Sequence, residues 1–168
     1  MKYLHSSGME YHGHLRSGNC VIDSRWILKI SDFGMMELNR LLKIKPYPKR
    51  LPDFLFVAPE HLRKGYRQAM MTGSAAGDVY SFAVIAAEVI SRKGIEKLQG
   101  EGVEVEKAIE KIRQTHMYPH RARIDKPEDV PQEAVKLIHR CWTEQPIERP
   151  TFHFIFKNMK GFVEKGYV

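Results

Sequence analysis

Asn19 and Asp32 are the side chains in this sequence best placed to hold a metal ion. They flank a stretch that reads as two short strands, Cys20 to Ile22 and Trp26 to Ile30, joined by a turn at Asp23-Ser24. Strands joined by a tight turn bring their outer ends together. An amide oxygen and a carboxylate therefore converge, and hard oxygens of this kind suit Mg²⁺. Arg16 stands nearby as a cation. Each residue also has a plainer role open to it, Asp32 capping the turn at Gly34 and Asn19 tying down the loop by backbone hydrogen bonds. His14 carries a ring able to accept a proton near neutral pH. His12-x-His14 and the run His116 to His120 gather imidazoles but offer no third ligand, so solvated or core histidines are expected there.

The elements that must position these residues follow from the patterning. Met1 to Ser7 reads as the last turn of a helix closed by Gly8. The stretch from Met35 to Phe56 holds three prolines and many basic residues, which predicts a long exposed loop without regular structure. Pro59 opens a short helix ending near Gly65. From Asp78 to Ile90 the chain is apolar nearly all round, the pattern of a helix buried in the middle of a helical layer. Val103, Val105, Ala108, Ile109 and Ile112 recur at helical spacing and predict a surface helix within 101–115. His116 to Asp129 reads as a loop, Pro131 opens a helix through Trp142, and a last helix places Phe152, Ile155, Phe156, Met159 and Phe162 on one face. The total is a mainly α lobe of about six helices and one short β-hairpin.

The 168 residues and 43% hydrophobic content suffice for a single domain with its own core. The longest apolar run, Val79 to Ile90, is too short for a bilayer and contains Glu88, so no direct membrane insertion by this segment is expected. The net charge of +7 would suit acidic partners or an anionic surface, but the cations are spread along the chain, and no nucleic-acid partner is expected. Cys20 and Cys141 form neither a CxxC pair nor a disulfide framework and read as buried thiols.

Taken in order, His12 to Asn19, Asp32-Phe33-Gly34, Ala58-Pro59-Glu60, the helix opening at Asp78, and Cys141-Trp142 followed by Arg149-Pro150 resemble the C-terminal lobe of protein kinases. In that family the loop H-R-D-x-x-x-x-N and the D-F-G triplet hold base, metal and nucleotide phosphates. The spacing, the asparagine and the DFG triplet agree, while Gly13 and His14 replace the arginine and the aspartate. The resemblance implies no catalytic residue, with His14 in the place of the base. It implies Asn19, Asp32 and Arg16 as the contacts of a regulatory ATP with Mg²⁺. It assigns structural roles to Glu60 and Arg149, as a buried ion bridge, and to Asp78, as the anchor of the loop backbone. Met35 to Val57 becomes the activation segment, with Tyr47 as its one hydroxyl.

Leu4-His5-Ser6-Ser7, the stretch from His12 to Arg25, Leu28-Lys29-Ile30 and Ala58 to Arg63 are further similar to the kinase homology region of receptor guanylyl cyclases, the guanylyl cyclase C branch above all. This likeness implies a silent pseudokinase that binds ATP and relays regulation to cyclic GMP synthesis. It implies an N-terminal lobe and a downstream cyclase domain in cis as partners, a homodimeric parent, and a place on the cytoplasmic side of the plasma membrane within a single-pass receptor. Two other readings are a fragment of an active tyrosine kinase, suggested by the ending from Cys141 to Pro150, and a stand-alone pseudokinase scaffold.

Overall fold

The computed structural model describes residues 1–45, 49–95, 103–114 and 130–164, the side chain of Val163 excepted. Tyr47 and the whole of the expected loop from His116 to Asp129, with the run His116 to His120, lie outside the described residues. The described chain forms α1 (Lys2–His5), a hairpin of β1 (Cys20–Ile22) and β2 (Leu28–Ile30), α2 (Met35–Leu41), α3 (Pro59–Leu62), α4 (Tyr66–Ala69), α5 (Ala75–Ser91), α6 (Val105–Gln114), α7 (Gln132–Cys141) and α8 (Phe152–Glu164). Short 3-10 turns cover Ser17–Asn19, Leu51–Phe56 and Pro146–Glu148. The lobe is mainly helical with one small hairpin, as the patterning predicts. Among the described residues no helix is long and apolar enough to cross a membrane.

The hairpin is antiparallel, with Cys20 opposite Ile30 and Ile22 opposite Leu28. Its connection is longer and its second strand shorter than expected. Asp23 Oδ1 accepts from the Arg25 and Ile27 amides at 2.9 and 3.0 Å, and Trp26 turns into the left-handed region at φ 61°. An aspartate that captures backbone amides in this way competes with the strand ladder, so Trp26 and Ile27 belong to the turn.

Helix α5 organises the core. Ser74 caps it, its Oγ accepting from the Gly77 amide at 3.0 Å. Val79, Tyr80, Ala83, Val84 and Ala87 are buried along its length, and the helix packs against the Leu51–Phe56 turn and α7. The last turn before α3 is fixed by Ser81, whose Oγ donates to the Phe56 carbonyl at 2.8 Å.

Four expectations need correction. Helix α1 ends at His5 with Ser6 as its cap, because Ser6 and Ser7 hydroxyls bond back to Lys2, Tyr3 and Leu4 carbonyls and close the turn before Gly8 is reached. The stretch after Gly34 is not wholly irregular. Met35–Leu41 is helical, and Leu51–Phe56 carries Phe54, Leu55 and Phe56 into the core, so apolar burial overrides the proline-rich composition there. Of the five apolar residues expected on one face of α8, Phe152 and Ile155 are buried, with Phe162 packed at the margin. Phe156 and Met159 are 53% and 41% exposed, and Lys2 Nζ lies 4.9 Å over the Phe156 ring. Cys141 is buried as a free thiol, its pKa raised by burial to about 12, whereas Cys20 is only half-buried.

One ion pair braces the helical layers. Arg149 Nη1 and Nη2 donate to the two Glu60 carboxylate oxygens at 2.7 and 2.9 Å, to the Ala76 and Glu144 carbonyls at 3.0 and 3.2 Å, and Nε donates to the Thr143 carbonyl at 2.9 Å. The Arg149 side chain is completely enclosed. Every guanidinium N–H thus has an acceptor, which a lysine with three donors on a point charge does not reproduce. Glu60→Ala should lower unfolding stability by about 3 to 5 kcal/mol, since it leaves a buried cation unpaired. Urea unfolding measures this, and a loss under about 1 kcal/mol, the range of a surface pair, would mean that the pair is not a brace.

Candidate functional site

The loop from His12 to Asn19 is held by one buried carboxylate. Asp78, 2% exposed at the start of α5, accepts from the His12 amide at 2.6 Å and the His5 ring at 2.9 Å through Oδ2, and from the Gly13 amide at 2.9 Å through Oδ1. Gly13 sits at φ 76°, and a Cβ there would collide with Met36 Sδ. The left-handed backbone favours glycine at this point, and a side chain there would displace the methionine.

His12 ties the loop to the end of β2. Its Nδ1 accepts from the His14 amide at 3.1 Å, so Nε2 is the nitrogen that carries hydrogen and donates to the Ser31 carbonyl at 2.8 Å. Both ring nitrogens are engaged, which removes His12 as a metal ligand. Among the described residues no group of three His, Cys, Asp or Glu side chains gathers to hold a metal.

Asn19 is 2% exposed, and its Nδ2 donates to the His14 carbonyl at 2.8 Å. That bond is the loop-tying role, and it leaves Oδ1 as the atom to ligate a cation. The Ser31 amide donates to the Asn19 carbonyl at 2.9 Å, so the hairpin brings Asn19 to within one residue of Asp32 along the ladder. Asp32 is exposed and held at φ 62°, beyond the strand end. Asn19, Asp32, Arg16 and His14 line one cavity of about 410 Å³.

Arg16 is not a free cation, because its Nη1 lies 3.7 Å from Asp53 Oδ1. Asp53 also accepts from the Arg50 amide and guanidinium at 3.3 and 3.2 Å. Lys49 joins the same wall, half-buried, with its pKa lowered to about 8, chiefly by burial and then by Arg16, against the opposing pull of Asp53. His14 faces these cations. Burial first, then Lys49, His12 and Arg16, lower its pKa to about 4, with Asp53 acting the other way. Its Nε2 is buried without a hydrogen-bond partner.

Asp53 and Lys49 are the charged residues of the cavity wall that sequence reasoning missed. They lie far along the chain from Arg16 and His14, in a stretch read as an exposed loop. The available signal was the apolar run Phe54-Leu55-Phe56, which had to be buried and so drew its neighbours inward.

Residues 1–159 match the family model for the protein tyrosine and serine/threonine kinase. Among curated relatives, the Resact receptor of Arbacia punctulata is 37% identical over 98% of this chain and 17% of its own length. Retinal guanylyl cyclase 2 of Homo sapiens is 37% identical over 96% of this chain and 14% of its own length. Atrial natriuretic peptide receptor 2 of Rattus norvegicus is 35% identical over 98% and 15%. The chain therefore spans under a fifth of the length of these relatives.

The site has a defined pH signature. His14 has a folded pKa of about 4 against an ordinary 6.5. Between those values the unfolded chain holds a proton on this ring that the folded chain does not. Stability therefore rises with pH across this window and is lost as pH falls from 6.5 towards 4, at up to about 1.4 kcal/mol per pH unit from this group. His61, lowered mainly by burial, adds a slope of the same sign. Urea midpoints at pH 7 and pH 5 should fall further apart in the wild type than in His14→Gln; equal separations would remove His14 as the source.

Proposed function

The chain belongs to the protein tyrosine and serine/threonine kinase family, and from that premise we propose that it is a silent kinase homology region that binds ATP with Mg²⁺ and regulates a guanylate cyclase to which it is joined. Homology to several receptor guanylate cyclases supports the setting. It favours no single receptor, and the likeness to guanylyl cyclase C rests on the short motifs alone. By the same analogy, the parent is a dimeric single-pass receptor with this lobe on the cytoplasmic side, below an N-terminal lobe and ahead of a cyclase domain.

The observation that carries the silent reading is the state of His14. A carboxylate at a kinase base position brings negative charge that orients the substrate hydroxyl and offsets the proton it receives. The His14 ring, with a pKa of about 4, is neutral at pH 7, and accepting a proton would create a third cation beside Lys49 and Arg16. Gly13 also stands where the kinase pattern has the arginine that would pair with a phosphorylated segment, and its φ of 76° disfavours any side chain there.

Nucleotide binding rests on the donor set. Asn19 Oδ1 and the Asp32 carboxylate are two hard oxygens on one cavity wall, and Mg²⁺ is commonly held by one or two protein oxygens with phosphates and water completing its shell. When bound, the ion would neutralise and orient the nucleotide phosphates. Asn19 would remain fixed through its bond to His14, and Asp32 would be the adaptable ligand. With transfer disabled, the nucleotide acts through unequal affinity for two conformations. A coupling of about 1 to 3 kcal/mol corresponds to a change in output of about 5- to 150-fold. The segment from Leu41 to Leu55 and the helix expected from Val103 to Thr115, seen as α6, are the surfaces through which that change would pass. Segment 41–55 reaches the cavity through Lys49 and Asp53, and α6 buries Ala108, Ile109 and Ile112 while exposing its charged face.

The full-length parent in membranes tests this reading. Cyclic GMP production at saturating substrate should rise equally with ATP and a non-hydrolysable analogue, and the rise should vanish in Asp32→Asn. Dependence on hydrolysis, or a response that survives Asp32→Asn, would overturn it. Transfer of γ-phosphate to a protein that is lost in Asp32→Ala would instead establish an active kinase.

A further inference from the structure

A second concavity, of about 740 Å³, lies between α2 and α4. Its floor is apolar, made of the half-buried Tyr11, Met36 and Met70, and continues onto Ile44 and Met71, which are 55% and 53% exposed. Its rim carries Arg40, Lys43, Lys45 and Arg67, all exposed. One lining carboxylate stands against these four cations: Glu37, already bound by Arg40 at 2.5 and 2.9 Å. Among the described residues Lys43, Lys45 and Arg67 have no carboxylate partner. The arrangement is fixed by the end of α2. Lys43 adopts φ 54°, and the Ile44 amide donates to the Asn39 carbonyl at 3.0 Å, which turns Ile44 and Lys45 into the groove.

We infer that this groove docks an acidic peptide segment whose bulky apolar side chains enter the methionine floor while its carboxylates meet Lys43, Lys45 and Arg67. Two features select that occupant. The rim is positive, and among the described residues three of its four cations have no carboxylate partner, so an acidic partner gains attraction and orientation. Methionine side chains are unbranched and polarizable, and they repack around varied apolar groups. A flat anionic bilayer meets the rim but does not fill a concave floor, and a polyanion without apolar groups leaves the floor wet. The groove borders the first cavity at Asn39 but is lined by neither Asn19 nor Asp32, and its test reads peptide binding in the absence of nucleotide.

Fluorescence anisotropy on the full chain tests it with three labelled dodecapeptides, of glutamate and leucine, of glutamate and serine, and of lysine and leucine, beside vesicles containing phosphatidylserine. The glutamate–leucine peptide should bind at least about tenfold more tightly than the other two, and the double variant Lys43→Glu, Arg67→Glu should weaken it by about tenfold or more. Both positions are exposed, and a melting curve for the double variant shows that the fold is retained. A second variant, Met71→Ser, should weaken the same peptide without altering salt dependence. Equal affinity for the glutamate–serine peptide, binding that persists in the double variant, or vesicle binding in place of peptide binding would each overturn the assignment.

Discussion

The site depends on a single carboxylate. Asp78 has one face inside α5 and three donors from the opening of the chain: the His5 ring and the amides of His12 and Gly13. A carboxylate accepting several hydrogen bonds in a buried setting is far stronger than the same bonds on the surface. Everything downstream inherits that anchorage. His12 is placed to reach Ser31, His14 is placed to receive Asn19, and the hairpin that carries Asp32 hangs from Asn19. Disturbing Asp78 therefore reaches Asn19 and the strand end before Asp32 through a chain of hydrogen bonds rather than through contact.

The arrangement around His14 shows how a site can keep its frame while its electrostatics are inverted. The loop is fixed at both ends, yet the ring in its middle is surrounded by Lys49, Arg16 and His12, with Asp53 as the opposing charge. Cations this close to a half-buried ring disfavour its becoming cationic, while the cavity as a whole sets Arg16, Lys49 and Arg50 against Asp32, Asp53 and Asp78.

Much of the fold was legible because its strongest elements are locally consistent. The apolar run of α5, the strand pair around Asp23 and the proline starts of α3 and α7 each state one structure by pattern alone. What escaped reading was long-range. Met35–Leu41 looks irregular beside its prolines, and its helix is supported by Met36 packing over Gly13, a residue remote in sequence. Asn19 and Asp32 converged as the turn logic required, but the pairing of Arg16 with Asp53 had no local signature. On α8, the helical spacing placed five apolar residues on one face, whereas the core reaches only part of that face and leaves Phe156 to Lys2.

The fit of Met36 against Gly13 joins α2 to the loop. A side chain at position 13 would meet the thioether, the far end of a flexible side chain, so a substitution there displaces that methionine first and reaches the helix backbone only through it. Position 13 is in this sense a gauge of where α2 sits.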